Sequence, residues 1–154
     1  MNRYDCITEK LKYAGQHCDD VEIVVQVSED RWHLGFEDGQ VMIVTCEEEL
    51  PMVTFVSCVC PLSKRDPAAA THLLLRGNSL WNQSGGVQLA LDDEENIIQI
   101  LRVPETVDAD DFRLIVEDQR DKSRAWREAF EGFETRDDAP SEDPEDAGDD
   151  LLRV

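Results

Sequence analysis

Apolar residues along this chain keep two different rhythms, and the changes between them mark its elements. Tyr4, Ile7, Leu11 and Ala14 recur at helical spacing, which predicts a helix from about Asn2 to Gly15, closed by the glycine. From Val21 the period drops to two. Val21, Ile23, Val25 and Val27 alternate with other residues, and Trp32, Leu34 and Phe36 alternate with His33, Gly35 and Glu37, as in half-buried strands. Asp38-Gly39 is a hairpin signal. Val41 to Cys46 and Met52 to Cys60 then read as two more strands, separated by the charged turn Glu47-Glu48-Glu49. In the second of these, Val53, Phe55, Ser57 and Val59 oppose Met52, Thr54, Val56, Cys58 and Cys60. Both faces are largely apolar, which places this strand in the interior of the sheet.

Pro61 ends that strand. Asp66-Pro67 supplies an N-cap acid and a proline for the first turn, so a helix is predicted from Pro67 to about Arg76, broken by Gly77-Asn78. Its Leu73, Leu74 and Leu75 are consecutive and cannot share one side. Such a helix serves either one thick core or a second surface. Leu80-Trp81 and a polar loop follow, and then "GGVQLALDDEENIIQILRVP". Val87, Leu89 and Leu91 share a face of the first strand in this unit. Ile98 and Ile100 share one face of the return strand, with Ile97, Leu101 and Val103 near the other, so the return strand is apolar on both sides as well. Asp108, with Asp110 and Asp111 in the first turn, starts a last helix. Phe112, Ile115, Val116, Gln119, Ser123, Trp126 and Phe130 trace its inner face. The order is helix, strands, helix, two strands, helix. This is an α+β domain over 1–133, with a largely antiparallel twisted sheet of five to six strands and three helices packed on it. Residues 134–154 are rich in acids and proline, and the expectation there is a disordered tail.

Charge narrows the range of partners. There are 35 acids against 15 bases, a net of −20. Such a surface repels nucleic-acid phosphates and anionic lipids, which argues against nucleic-acid or membrane binding. It suits a basic protein partner, or simply solubility. No run approaches the ~18 apolar residues of a membrane span, and Met1 to Asp5 has no apolar signal region, so a cytoplasmic location is expected. The five cysteines, Cys6, Cys18, Cys46, Cys58 and Cys60, are odd in number and form no C-x-x-C pair. They read as small buried hydrophobes in a reducing compartment.

Catalytic chemistry finds little footing. A Walker loop and a G-x-S-x-G elbow are both missing. His17, His33 and His72 lie far apart and make no metal-ligand spacing with the cysteines. A Cys–His pair assembled in space, such as Cys18 with His33, is the remaining enzymatic option. Asp92, Asp93, Glu94 and Glu95 lack calcium-loop spacing and read as a solvated turn. The expectation is a protein that is not an enzyme, needs no cofactor or metal, and works through its apolar surface.

In residues 85–130 an apolar strand, an acidic turn, a return strand ending at Val103-Pro104, and an Asp-started helix with Phe112 early and Trp126-Arg127 late resemble the class I type III secretion chaperones, the Tir-chaperone-like (CesT-like) family. The upstream order of elements fits as well. The resemblance implies a homodimer that holds an effector protein by an extended N-terminal segment and keeps it soluble and competent for secretion. By position it places Leu73, Leu74, Leu75, Trp81, Ile98, Ile100 and Arg102 at the dimer interface. It places Tyr4, Ile7, Leu11, Trp32, Leu34 and Phe36 at the partner-binding grooves. The other reading of the same chain is a dimeric α+β adaptor or regulator unrelated to secretion. Val21 to Val27, an extra or lengthened strand, leaves the sheet order open.

Overall fold

The first helix begins at a reciprocal cap. The Asn2 side chain accepts the Asp5 amide, and the Asp5 carboxylate accepts the Asn2 amide. The computed structural model describes residues 1–62, 65–80 and 82–132. Along it run α1 (Arg3–His17), β1 (Val21–Ser28), β2 (Arg31–Phe36), β3 (Val41–Cys46), β4 (Met52–Pro61), α2 (Pro67–Ser79), β5 (Gln88–Leu91), β6 (Asn96–Pro104) and α3 (Ala109–Glu131). The predicted caps at Asp66 and Asp108 are both present, accepting from the Ala68 and Asp111 amides. The strands form one six-stranded sheet in the order β1-β2-β3-β4-β6-β5, with every pair antiparallel. The expected α+β architecture of three helices on an antiparallel sheet is therefore present. Val21 to Ser28 is its outermost strand, and β4 lies inside it as its two apolar faces require. The tail at 134–154 falls outside the described residues.

All three helices lie on one face of the sheet. Under α1 and the first half of α3, Ile7, Leu11 and Ala14 meet Trp32, Leu34, Phe36, Met42, Val44, Phe55, Phe112 and Val116. Under α2 and the second half of α3, Ala70, Leu74 and Phe130 meet Val59, Leu89 and Ile97. Each large side chain buried this way contributes about 1.5–3 kcal/mol. Two helices run further than the glycines in the sequence suggest. α1 continues past Gly15 to His17, and α2 past Gly77 to Ser79. Both glycines sit where another element comes close. A Cβ on Gly15 would lie 2.6 Å from Val24, and one on Gly77 would lie 2.8 Å from Trp126 and 2.9 Å from Leu89. They permit contact and do not stop the helices.

A polar seam separates the two apolar clusters. Gln99 of β6 and Gln119 of α3 are both fully buried. The Gln99 amide donates to the Gln119 backbone oxygen at 2.6 Å and to Gln119 Oε1 at 3.1 Å. Gln99 Oε1 and Gln119 Nε2 have no partner among the described residues. Arg120, next along α3, is a buried charge that the periodicity missed, with its side chain only 4% exposed. Its guanidinium stacks 4.0 Å from the centre of the Phe36 ring. It donates to Asp20 at 3.2 Å and Asp38 at 2.9 Å, and Arg124 adds a bond to Asp20 at 3.0 Å. One side chain thus ties α3 to the entry of β1 and to the β2–β3 turn.

Two outcomes follow from the seam. Gln99→Met leaves the whole Gln119 side-chain amide unsatisfied and is expected to cost about 1–3 kcal/mol. Adding Gln119→Met should recover most of that loss. Urea unfolding of the two variants checks this, and a single variant as stable as the double would contradict it. Arg120→Ala should cost about 2–4 kcal/mol, tempered by the partial solvation of both aspartates. Partial burial would raise the Asp38 carboxyl, but the Arg120 and Gln40 hydrogen bonds outweigh it and hold the group below its ordinary 3.8. That stabilisation is fully present above the ordinary value and is lost as pH falls through the depressed one. Unfolding curves between pH 5 and 2, a window of roughly this range, should therefore show a smaller acid loss in Arg120→Ala than in the parent chain.

Candidate functional site

Alternate residues of every strand point away from the helices. Register aligns them into rows across the sheet. One row runs Val25, His33, Ile43, Val56, Ile100, Gln88. Beside it lie Ile23, Gly35 and Val41 at one end, and Cys58, Ile98 and Ala90 at the other. Arg31, Thr45, Thr54 and Arg102 form a polar margin. There Glu47 accepts the Thr54 hydroxyl at 3.1 Å and pairs with Arg102 at 3.0 Å. None of the apolar members of the first two rows belongs to either core cluster. Ile23 is 55% exposed and Val27, further along the same strand, 48%. Among the described residues no helix covers this face.

At one side of the sheet, the end of α1 and β1 enclose a groove of about 210 Å3, lined by Lys12, Gly15, Gln16, Val21, Glu22, Ile23 and Val24. β1 is an outer strand with register shifts between Val21 and Ile23 and between Gln26 and Ser28. α1 is held over it by Thr8, which accepts the Trp32 indole N–H at 3.0 Å. Lys10 secures the far side of α1 by donating to the Glu105 and Val107 carbonyls, each at 2.6 Å. Arg3 pairs with Glu105 as well.

The residues expected at partner grooves divide sharply. Ile7, Leu11, Trp32, Leu34 and Phe36 are between 0% and 2% exposed. They build the chain's own core beneath α1 and α3, because their strand parity and helix phase point them into the helix layer. Only Tyr4 is half-exposed. The elements that carry them do border open surface, but through their other faces. The seven residues expected at a dimer interface also fall in different places. Ile98 and Ile100 are half-buried on the helix-free face, and Arg102 is exposed at its polar margin. Leu74 is buried in the second cluster and Leu73 packs against it. Leu75, 68% exposed, emerges from the opposite layer. Trp81 lies outside the described residues.

The remaining chemical options are answered by geometry. Cys18 sits in the helix-side core, its thiol 3.7 Å from the Arg113 carbonyl, whereas His33 points to the helix-free face. The sheet separates them, and no pair forms. Burial pushes the Cys18 and Cys46 thiols up to about 11, and raises Cys58 and Cys60 as well, which is the wrong direction for a thiolate nucleophile. Asp92 organises the acidic turn from within. Its carboxylate accepts the Glu94 and Asn96 amides and the Asn96 side chain, and the Asn96 bonds hold it below the usual carboxylate range. Among the described residues no three potential metal ligands gather, and no helix is long and apolar enough to cross a membrane.

The fold is shared with solved structures of low sequence identity. ExsC–ExsE, seen as a complex, superposes with a TM-score of 0.71 at 12% identity, over 84% of this chain and 97% of that one. The HopA1–SchA chaperone–effector complex gives 0.64 at 13%, over 81% and 95%. The Yersinia pestis type III secretion chaperone SycH, bound to a stable fragment of YscM2, gives 0.59 at 13%, over 80% and 98%. No curated protein matches the sequence. The model of the Tir chaperone protein (CesT) family matches residues 20–127, most of the described chain. By that match the chain belongs to the Tir chaperone protein (CesT) family, a family of chaperones.

Proposed function

We propose that this chain is a cytoplasmic, homodimeric type III secretion chaperone that holds an extended N-terminal segment of an effector and keeps it soluble and ready for secretion. The observation that carries this reading is the helix-free sheet face. An isolated chain that left Ile23, Val25, Ile43, Val56, Ile98 and Ile100 to water would expose a contiguous apolar patch, and such patches mark interaction surfaces.

The face serves two occupants. A second copy covers the end around Val56, Cys58, Ala90, Ile98 and Ile100, with the Arg102–Glu47 pair at the rim. A two-fold contact of this kind is self-complementary, so apolar rows meet apolar rows. The extended segment takes the other end. Its backbone pairs with the outer edge of β1, and its side chains pack on Ile23, Val25 and Val27 or enter the groove against α1. The net charge of −20 draws in a basic segment and repels an acidic one. Structures of the same fold were solved as chaperone–effector and chaperone–fragment complexes, which supports an effector as the partner. Burial raises the Cys18, Cys46, Cys58 and Cys60 thiols, which favours a binding role over thiolate chemistry at these four positions.

Two variants separate the two surfaces. Ile100→Asp puts a charge in the middle of the proposed dimer contact. Light scattering should show half the parent mass, with an unchanged far-ultraviolet spectrum. A variant that kept the dimer mass would remove the second copy from this face. Ile23→Asp combined with Val25→Asp should keep the dimer and weaken capture of an effector co-expressed from a neighbouring gene by at least about tenfold, roughly 1.4 kcal/mol. Truncation of the effector's N-terminal region should abolish capture by the parent chain. Binding that survives truncation would favour an adaptor over an escort.

A further inference from the structure

The two edges of this sheet are finished differently. Among the described residues, no hydrogen bond from another element meets the outward backbone of β1 between Glu22 and Val27. The β5 edge is occupied. In the β5–β6 hairpin the Asp92 amide donates to the Asn96 carbonyl at 3.0 Å. Antiparallel alternation then turns Ala90 and Gln88 toward β6 and leaves Leu89 with its N–H and C=O facing outward. Asn78, in the last turn of α2, meets both groups. The Leu89 amide donates to Asn78 Oδ1 at 2.7 Å, and Asn78 Nδ2 donates to the Leu89 carbonyl at 2.8 Å. A single side-chain amide thus makes the two bonds that a neighbouring strand would make. The next outward carbonyl, that of Val87, accepts the Ser84 hydroxyl at 3.2 Å.

We propose that Asn78 is an edge guard: it closes the β5 side of the sheet to strand addition, and so leaves β1 as the edge at which an extended segment is accepted. The second half of this statement rests on the chaperone reading above; the first stands on the Asn78 contacts alone. A protein built to pair with extended chain must avoid pairing with itself, and an outer strand with free backbone groups is a template for that. With Asn78 in place, a strand approaching β5 would first have to displace two short hydrogen bonds. Without it, the occupant is β5 of another copy, running antiparallel along Leu89 and the exposed Leu91.

The test uses the full chain on its own. Asn78→Ala favours the helix it sits in and removes both bonds. Hydrogen exchange at the Leu89 amide should quicken by at least about tenfold, the change expected when an ordinary hydrogen bond is lost, while amides shared between β4 and β6 stay as they were. Light scattering should show species that grow with concentration beyond the mass of the parent. Asn78→Asp, which keeps the acceptor but faces the Leu89 carbonyl with a charge, should grow in the same way. Adding Leu91→Pro to Asn78→Ala removes an outward N–H without touching the β6 ladder and should restore the parent mass. Unchanged exchange at Leu89, a parent-like mass for both Asn78 variants, or growth that survives Leu91→Pro would each overturn the guard. Failure of an effector to pair with β1 would sink the chaperone reading and leave these readouts untouched.

Discussion

Strands send alternate side chains to opposite faces, while three helices of this size can cover only one face of a six-stranded sheet. β4 and β6 are apolar on both. Val53, Phe55, Ile97 and Leu101 face the helices, and Val56, Cys58, Ile98 and Ile100 face away. With these helices on one side, the second set is left without cover from the described residues. Polar residues at those positions would have produced an ordinary solvated face. The open apolar face is therefore part of the two-layer architecture and does not depend on a loop or a cavity. It is rigid, because its backbone is the same ladder that supports the core.

The helix layer is located by polar contacts as much as by apolar ones. The two core clusters meet along α3, where Gln119, Arg120 and Ser123 replace the hydrophobes expected at an inner face. A purely apolar seam would let α3 slide along the sheet at little cost. Gln99 and Gln119 allow one register, since a shift would strand their amides. Arg120 extends the same control sideways. Its bonds to Asp20 and Asp38 fix the start of β1 and the β2–β3 turn relative to α3, so the outer strand and the groove beside it are set from the middle of the molecule.

Much of this was legible in the chain. The doubled apolarity of β4 pointed to an interior strand and that of β6 to two used faces, and the structure turns Ile98 and Ile100 outward and Ile97 and Leu101 inward. Parity in Trp32, Leu34 and Phe36 was also plain, but parity does not say which face the helices will take. The resemblance placed these residues at the grooves by position, and parity alone could not show that they would turn to the helix layer instead. Gly15 and Gly77 misled because glycine means both termination and close approach, and only the neighbouring element decides between them. Arg120 was invisible because a hydrophobic period treats a charge as solvent-facing. Asn78 reads as a helix breaker, and its bonds to Leu89 exist only once α2 lies beside β5.

The open edge needs its own protection, and its features suit an unlike partner better than a like one. The register shifts at both ends of β1 distort the strand, which discourages long, flat pairing. Glu22, Glu29 and Asp30 lie in or beside it, on a chain whose net charge is −20. Two copies meeting β1 to β1 would bring these acids together, whereas a basic extended segment would neutralise them. The β5 edge lacks that defence. Its exposed Leu91 is apolar, and the nearby acids belong to the turn. A hydrogen-bonding side chain there does what charge does at β1. Each edge is thus protected by the means its surroundings supply, and on the proposed chaperone reading a basic partner lifts the protection at β1 alone.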